Sequence, residues 1–295
     1  MTIVYRILTI ILPVFGVVII GYIYGRIAKP NMAGANKANM DVILPVLIFV
    51  ALSSKEFDLA ANAWLVVASI GIVLLSGLAA FPYARLMHGD PKTFVPPMMF
   101  NNCGNMGVPI AIIAAGQQGL GMMTMLFTTS NLLQFTLGTW IIRRKVGWHD
   151  VLVNPMVIAT ILGVTAGLLH PTLPQWVDLT LKMLGDVAFP LMLFALGVRM
   201  CDITFEHWHV GLVGAIVCPL TGLLAGAILV WLLPLTPPQQ AMVWIFASLP
   251  PAVLNFLIAD RYQQEPAKVA AIVLIGNLGS VIFVPLGLAL ALQQL

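Results

Sequence analysis

Runs of apolar residues about twenty positions long recur from one end of the chain to the other, separated by charges, prolines and polar clusters. A helix rises about 1.5 Å per residue, so roughly twenty apolar residues cross the ~30 Å hydrocarbon layer of a bilayer. Splitting the runs at their polar interruptions predicts ten spans, at residues 5–25, 38–54, 62–86, 94–115, 119–142, 153–170, 177–200, 208–233, 240–260 and 267–293. The first, Tyr5 to Gly25, has no small-x-small cleavage site and is followed by Arg26 and Lys29, so it reads as a spanning helix rather than a secretory leader.

Composition removes the soluble alternative. Of 295 residues 60% are hydrophobic and 8% charged, where a soluble domain carries roughly a quarter charged residues to face water. The net charge of +3 is spread over short loops, which excludes a nucleic-acid surface. Cys103, Cys201 and Cys218 form no C-x-x-C pair and read as packing residues. No cofactor or metal is expected.

Basic residues orient the chain, because Lys and Arg accumulate in cytoplasmic loops. With the N-terminus outside, the inward loops and helix ends hold 11 of the 14, namely Arg26, Lys29, Lys37, Arg85, Lys92, Arg143, Arg144, Lys145, Arg199, Arg261 and Lys268. Arg6, Lys55 and Lys182 fall outside. The expectation is a multi-pass protein of the cell (inner) membrane with both termini on the non-cytoplasmic side.

An internal repeat sets the architecture. Asp41-Val42-Ile43-Leu44-Pro45-Val46-Leu47-Ile48-Phe49 aligns with Asp186-Val187-Ala188-Phe189-Pro190-Leu191-Met192-Leu193-Phe194, sharing Asp, Val, Pro and Phe at an offset of 145 residues. Asn131-Leu132 against Asn277-Leu278 is a weaker echo at 146. A repeat of five spans must enter the membrane from the opposite side in its second copy, an arrangement typical of secondary transporters. The predicted fold is therefore all-α and integral to the membrane: ten transmembrane helices in two inverted five-helix repeats, residues 1–145 and 146–295.

Two spans are interrupted. The fourth contains Phe100-Asn101-Asn102-Cys103-Gly104-Asn105-Met106-Gly107-Val108-Pro109, and the ninth, its repeat partner, contains Ser248-Leu249-Pro250-Pro251-Ala252-Val253-Leu254-Asn255. Proline lacks an amide hydrogen and clashes with the preceding turn, while glycine favours unwinding. A broken helix in hydrocarbon must have its backbone groups completed by protein, water or solute, so the breaks predict a polar cavity. Half-helix N-termini carry positive partial charge, which favours an anionic solute. Asn101, Asn102, Asn105, Gly107, Pro109, Pro250, Pro251 and Asn255 are the candidate substrate-binding positions.

Asp41 and Asp186 fall within apolar spans as candidate proton- or sodium-coupling groups, or else cap helix ends. A polar patch at Thr128, Thr129, Ser130, Asn131 and Gln134 is answered by Asn277 and Ser280. These side chains either line a cavity or bond helices together.

At the two interruptions the chain resembles the auxin efflux carrier family, which includes plant auxin exporters and bacterial permeases of malonate or malate. The matching pieces are Asn102-Cys-Gly-Asn-Met-Gly-Val-Pro109 and Leu249-Pro-Pro-Ala-Val-Leu-Asn255, with Ala259 and Tyr262. The resemblance implies a scaffold of spans one, two, six and seven beside a transport unit of spans three to five and eight to ten. It also implies crossing of helices four and nine at a substrate site that includes Asn105, Pro109, Pro251 and Asn255, an elevator-type mechanism and a homodimer. Two features depart from the pattern: only Arg143 to Asp150 joins the halves, and Pro250-Pro251 is doubled.

The function expected is secondary transport of a small organic anion. The rival is a sodium-coupled symporter resembling bile acid carriers, against which stands the absence of acidic residues from 100–109 and 248–255. A passive channel or sensor is a more distant alternative. An enzyme is not expected: no H-E-x-x-H or G-x-S-x-G occurs, and His88, His149, His170, His207 and His209 lie in loops or at span ends.

Overall fold

The computed structural model describes residues 3–54, 58–86, 89–145, 148–170, 173–202 and 207–295; Lys55 and His88 lie outside them. The helices are α1 (Ile3–Ala28), α2 (Ala33–Ala38), α3 (Leu44–Ser53), α4 (Trp64–Leu86), α5 (Pro91–Met99), α6 (Val108–Leu133), α7 (Thr139–Arg143), α8 (Trp148–Leu152), α9 (Pro155–Leu169), α10 (Gln175–Arg199), α11 (Trp208–Leu232), α12 (Pro237–Ala247), α13 (Val253–Arg261) and α14 (Pro266–Ala291). π-Helical turns at Asn39–Ile43, Cys103–Gly107 and Gln134–Gly138 join α2 to α3, lead into α6 and connect α6 to α7. Among the described residues there is no strand.

Among the described residues, seven helical stretches are long and apolar enough to cross a membrane: Ile3–Ala28, Ala33–Ser53, Trp64–Leu86, Cys103–Arg143, Gln175–Arg199, Trp208–Leu232 and Pro266–Ala291. Their outer faces expose residues such as Ile20, Leu78 and Trp231, which lipid accepts and water does not. The protein is a multi-pass membrane protein.

Three of the predicted spans differ in detail. The stretch 103–143 changes direction at Ala115 (φ −141°, ψ 17°) and Gly116 (φ 61°, ψ −146°), so the turn expected between residues 115 and 119 is carried by one left-handed glycine that a Cβ would strain. The segments 94–115 and 240–260 are each cut near the middle, into α5 and α6 and into α12 and α13. The first cut lies at Phe100–Asn102, earlier than the proline predicts. Pro109 sits in the first turn of α6; it has no N–H to give the carbonyl four residues back, and the chain widens into the π-turn just ahead of it.

Short local signals fix the starts of several helices. Asp90 and Asn154 accept the amides of Lys92 and Met156, each at 2.9 Å, with Pro91 and Pro155 at the first helical position. Gln239 reaches back to the Thr236 amide at 3.0 Å, the return half of a capping box.

Packing falls into two groups. α1 lies against α10, and α3 against α9 and α10. Gly21 and Gly197 permit the first of these crossings, because a Cβ on either would strike the backbone of the other helix. In the second group α11 packs on α14, α4, α5 and α12, with α4 also on α5 and α6. The Ser69 hydroxyl donates to the Leu126 carbonyl at 2.9 Å, tying α4 to α6 in the buried interior.

Candidate functional site

The two cuts meet. Phe100 (φ −110°, ψ 102°) and Ala252 (φ −67°, ψ 141°) are extended, and the residues between the half-helices pair antiparallel, with Asn101 opposite Pro251. The Asn102 amide donates to the Pro250 carbonyl at 2.6 Å, and the Ala252 amide donates to the Phe100 carbonyl at 2.9 Å. Pro250 and Pro251 have no N–H and can only accept, so on the second cut the pairing amide comes from Ala252, just after them.

Side-chain amides complete the remaining backbone groups. Asn101 Nδ2 donates to the Phe246 carbonyl at 2.5 Å, and Asn255 Nδ2 donates to the Phe100 carbonyl at 2.8 Å. Asn277 Nδ2 donates to the Pro251 carbonyl at 3.0 Å, while its Oδ1 accepts from Asn102 Nδ2 at 2.7 Å. Gln134 Nε2 donates to Asn255 Oδ1 at 2.8 Å. Phe100 and Phe246, both fully buried, anchor the two cuts in the core. Exposed backbone that hydrocarbon would penalise is thus completed by protein.

Beside the crossing lies a cavity of about 410 Å³. Asn101, Asn102, Asn105, Ala252, Val253 and Leu254 line one side, and Ser130, Asn131 and Gln134 continue it. Asn105 makes no side-chain hydrogen bond among the described residues and is only partly buried. The first-turn amides at Gly104 and Asn105, and at Val253 and Leu254, have no upstream acceptor within their own helices. Among the described residues, Lys37 from α2 and Arg199 from the end of α10 are the charged side chains of the lining, and none of the lining residues is acidic. Apolar contact comes from Leu44, Phe127, Met156, Met192 and Leu196, so the cavity can hold a small solute with an anionic end and a carbon body.

A profile of the membrane transport protein family matches residues 138–288, slightly more than half of the chain. The chain belongs to this family. It is also 23% identical over 301 residues, covering 92% of each chain, to a protein of Rhizobium meliloti (strain 1021) named "Putative malonate transporter". The auxin efflux carrier resemblance at the two interruptions agrees with both. As a member of the membrane transport protein family, the protein is a transporter and not an enzyme.

The family match contains the second cut, and the alignment with the Rhizobium protein spans most of the chain. Of the sequence-predicted residues, Asn101, Asn102, Asn105, Asn131 and Gln134 line the cavity. Pro250, Pro251 and Asn255 stand behind it as the frame of the crossing, with Asn277 bonded to that frame and Ser280 bonded to the Asn277 carbonyl at 2.6 Å. Gly107 is a packing position: a Cβ there would lie 2.6 Å from Leu249 Cδ1. Pro109 is buried in α6 away from the lining. Asp41 and Asp186 are exposed on outer faces and do not line the cavity.

Sequence reasoning missed Lys37 and Arg199 as lining residues, treating both as markers of the inward side. The available signal was the polar run Asn36-Lys37-Ala38-Asn39 at the start of an apolar span.

Proposed function

We propose that the protein carries a small organic anion, a carboxylate, by elevator-type alternating access. The observation that carries this reading is the crossing itself: first-turn amides of two half-helices open on a cavity whose charged lining is cationic. Each helix N-terminus is equivalent to roughly half a positive charge, so the pair offsets about one carboxylate. Asn105 supplies the uncommitted amide, and Asn101 and Asn102 hold the backbone that presents it.

The two packing groups support a fixed unit of α1, α3, α9 and α10 and a moving unit that carries the crossing. In this reading residues 1–145 and 146–295 are inverted five-helix repeats, ten spans in all. The termini face the non-cytoplasmic side of the cell membrane, and two copies pair through their fixed units. The name of the Rhizobium relative makes malonate the first solute to try.

Thermal stability of the purified protein, measured against small carboxylates with and without sodium, tests the reading. A bound solute stabilises the native state by mass action, by about 2.7 kcal/mol at a hundred times its Kd, and so raises the apparent melting temperature. Stabilisation by a carboxylate that disappears in Asn105→Ala is the expected result. Stabilisation by cations or neutral solutes alone would overturn it. One observation favours the sodium-coupled alternative: the Asn101 Oδ1 is buried without a partner and could accept a cation. Stabilisation that requires sodium would select that alternative.

A further inference from the structure

The two packing groups touch at the cavity, where α6 of one meets α9 of the other. Asn131 Nδ2 of α6 donates to Met156 Sδ of α9 at 3.0 Å, and both residues belong to the lining. Both are also buried, Asn131 at 6% exposure and Met156 at 4%. A thioether is a weak acceptor, so this amide is spent on a poor partner. The neighbouring amides do better: Gln134 Nε2 and Asn102 Nδ2 reach amide oxygens at 2.8 and 2.7 Å.

The methionine side of this bond has a fixed backbone and a yielding side chain. The Met156 amide donates to Asn154 Oδ1 at 2.9 Å, and its carbonyl accepts from the Thr160 hydroxyl at 2.7 Å. The side chain beyond turns about three bonds and repacks at little cost. A solute reaches the buried Asn131 NH₂ only by displacing what covers it, and the methionine chain is the piece that gives way. A carboxylate oxygen is much the better acceptor, since hydrogen bonds to an ionised group are roughly twice as strong as neutral ones. Exchange of sulfur for carboxylate is therefore favourable, and it frees α6 from α9.

We propose that Asn131 is a solute-binding residue whose amide passes from Met156 to the bound carboxylate, so that the empty carrier is latched across its two units and the loaded carrier is released. The inference rests on the anion and two-unit reading above and deepens it. A solute shifts the balance by as much as it prefers the released form. The functional consequence is exchange: the loaded site crosses between the two faces of the membrane faster than the empty one, so solute on the far side speeds the return.

The test uses malonate and the full chain. Calorimetry on the detergent-purified protein gives the Kd, and liposomes carrying it give the ratio of malonate exchange to net malonate efflux, which does not depend on how much of the protein is active. In wild type exchange should outpace net efflux by about threefold or more, the scale of one weak neutral hydrogen bond. Met156→Leu keeps the side-chain volume and removes the acceptor. It should bind malonate about threefold tighter, because no bond has to be given up, and bring the flux ratio toward unity. Asn131→Leu should also bring the ratio toward unity but weaken binding by about tenfold. Opposite shifts in Kd with the same shift in ratio are not what damaged packing would give. A Met156→Leu variant with the wild-type Kd and ratio would mean that the solute does not displace the thioether, and would overturn the latch. Weaker binding in both variants, or a wild-type ratio of unity, overturns it too and leaves the anion reading intact. If malonate, succinate and glutarate all fail to bind wild type, the anion reading falls and the latch falls with it.

Discussion

The two helix cuts perform the same topological task with different chemistry. The first, Phe100–Asn102, is made by asparagines and runs straight into a π-turn; its amide at Asn105 is uncommitted and faces the cavity. The second is made by Pro250 and Pro251, and the amide that follows it, Asn255, is buried and holds both the Phe100 carbonyl and Gln134. Asn105 and Asn255 each stand four residues beyond the bridged pair, Asn101 and Pro251. One member of this pair is uncommitted at the cavity, where the proposed reading puts the solute, and the other is used up as structure. A crossing of two broken helices therefore need not be a symmetric site: one arm can be the frame on which the other arm reads.

The largest stability effect is expected from breaking the frame. Asn255→Ala removes two buried hydrogen bonds and strands the Gln134 NH₂, and should destabilise the solute-free protein by about 2–4 kcal/mol. Thermal or denaturant unfolding in detergent checks this. If Asn255→Ala leaves stability intact while abolishing solute binding, the assignment of frame and reader is reversed.

Asn105→Ala should do the opposite. With no side-chain bond to lose among the described residues, it should shift the solute-free stability by less than about 0.5 kcal/mol and weaken carboxylate binding by about tenfold or more. The two variants measured side by side give the sharpest form of the comparison.

Gly107→Ala tests the contact between the arms. Its Cβ would meet Leu249 Cδ1 at 2.6 Å, the end of a side chain that can turn aside, so a cost of about 1–2 kcal/mol is expected rather than failure to fold. A stabilised Gly107→Ala would mean that the arms are not in close contact at this point.

The smallest effect concerns the far end of the two arms. Thr93 of α5 donates to Glu265 at 2.5 Å, and Gln264 donates to Asp90 and Thr93 at 2.9 and 3.0 Å, clasping the start of the first arm to the turn after the second. Hydrogen bonds from Lys268 and Thr93 hold the Glu265 carboxyl below the usual carboxylate range. A lowered folded-state value adds stability above the ordinary Glu range, and that stability is lost as pH falls through the folded value. Glu265 is part-exposed, so solvent screens the effect. Glu265→Gln should therefore lower stability slightly near neutral pH, with a difference from wild type that shrinks on acidification. A difference that grows in acid would show that the clasp depends on the protonated form.

Much of this was legible along the chain because the relevant physics is local. Hydropathy over about twenty residues marked the membrane segments, and prolines beside asparagines marked both interrupted helices. The positions of the cuts were harder to read. Pro109 is the proline at the predicted break in the fourth span, yet the chain opens several residues earlier, where Asn101 and Asn102 find partners at Phe246, Pro250 and Asn277. A distant acceptor decides where a helix ends, and hydropathy does not register distant acceptors.

The same distinction separates what each level determined about the whole protein. By itself the sequence determined a multi-pass helical membrane protein with two broken spans and amides clustered at the breaks, since apolar length and missing N–H groups act within a few residues of their cause. Only the tertiary structure decided which amides are spent on the frame, that Asn105 is left over, that Asp41 and Asp186 face outward, and that Lys37 and Arg199 belong to the cavity. Those outcomes depend on the rotation of each helix about its axis and on contacts between residues far apart in the chain. Packing sets both, and periodicity alone leaves them open.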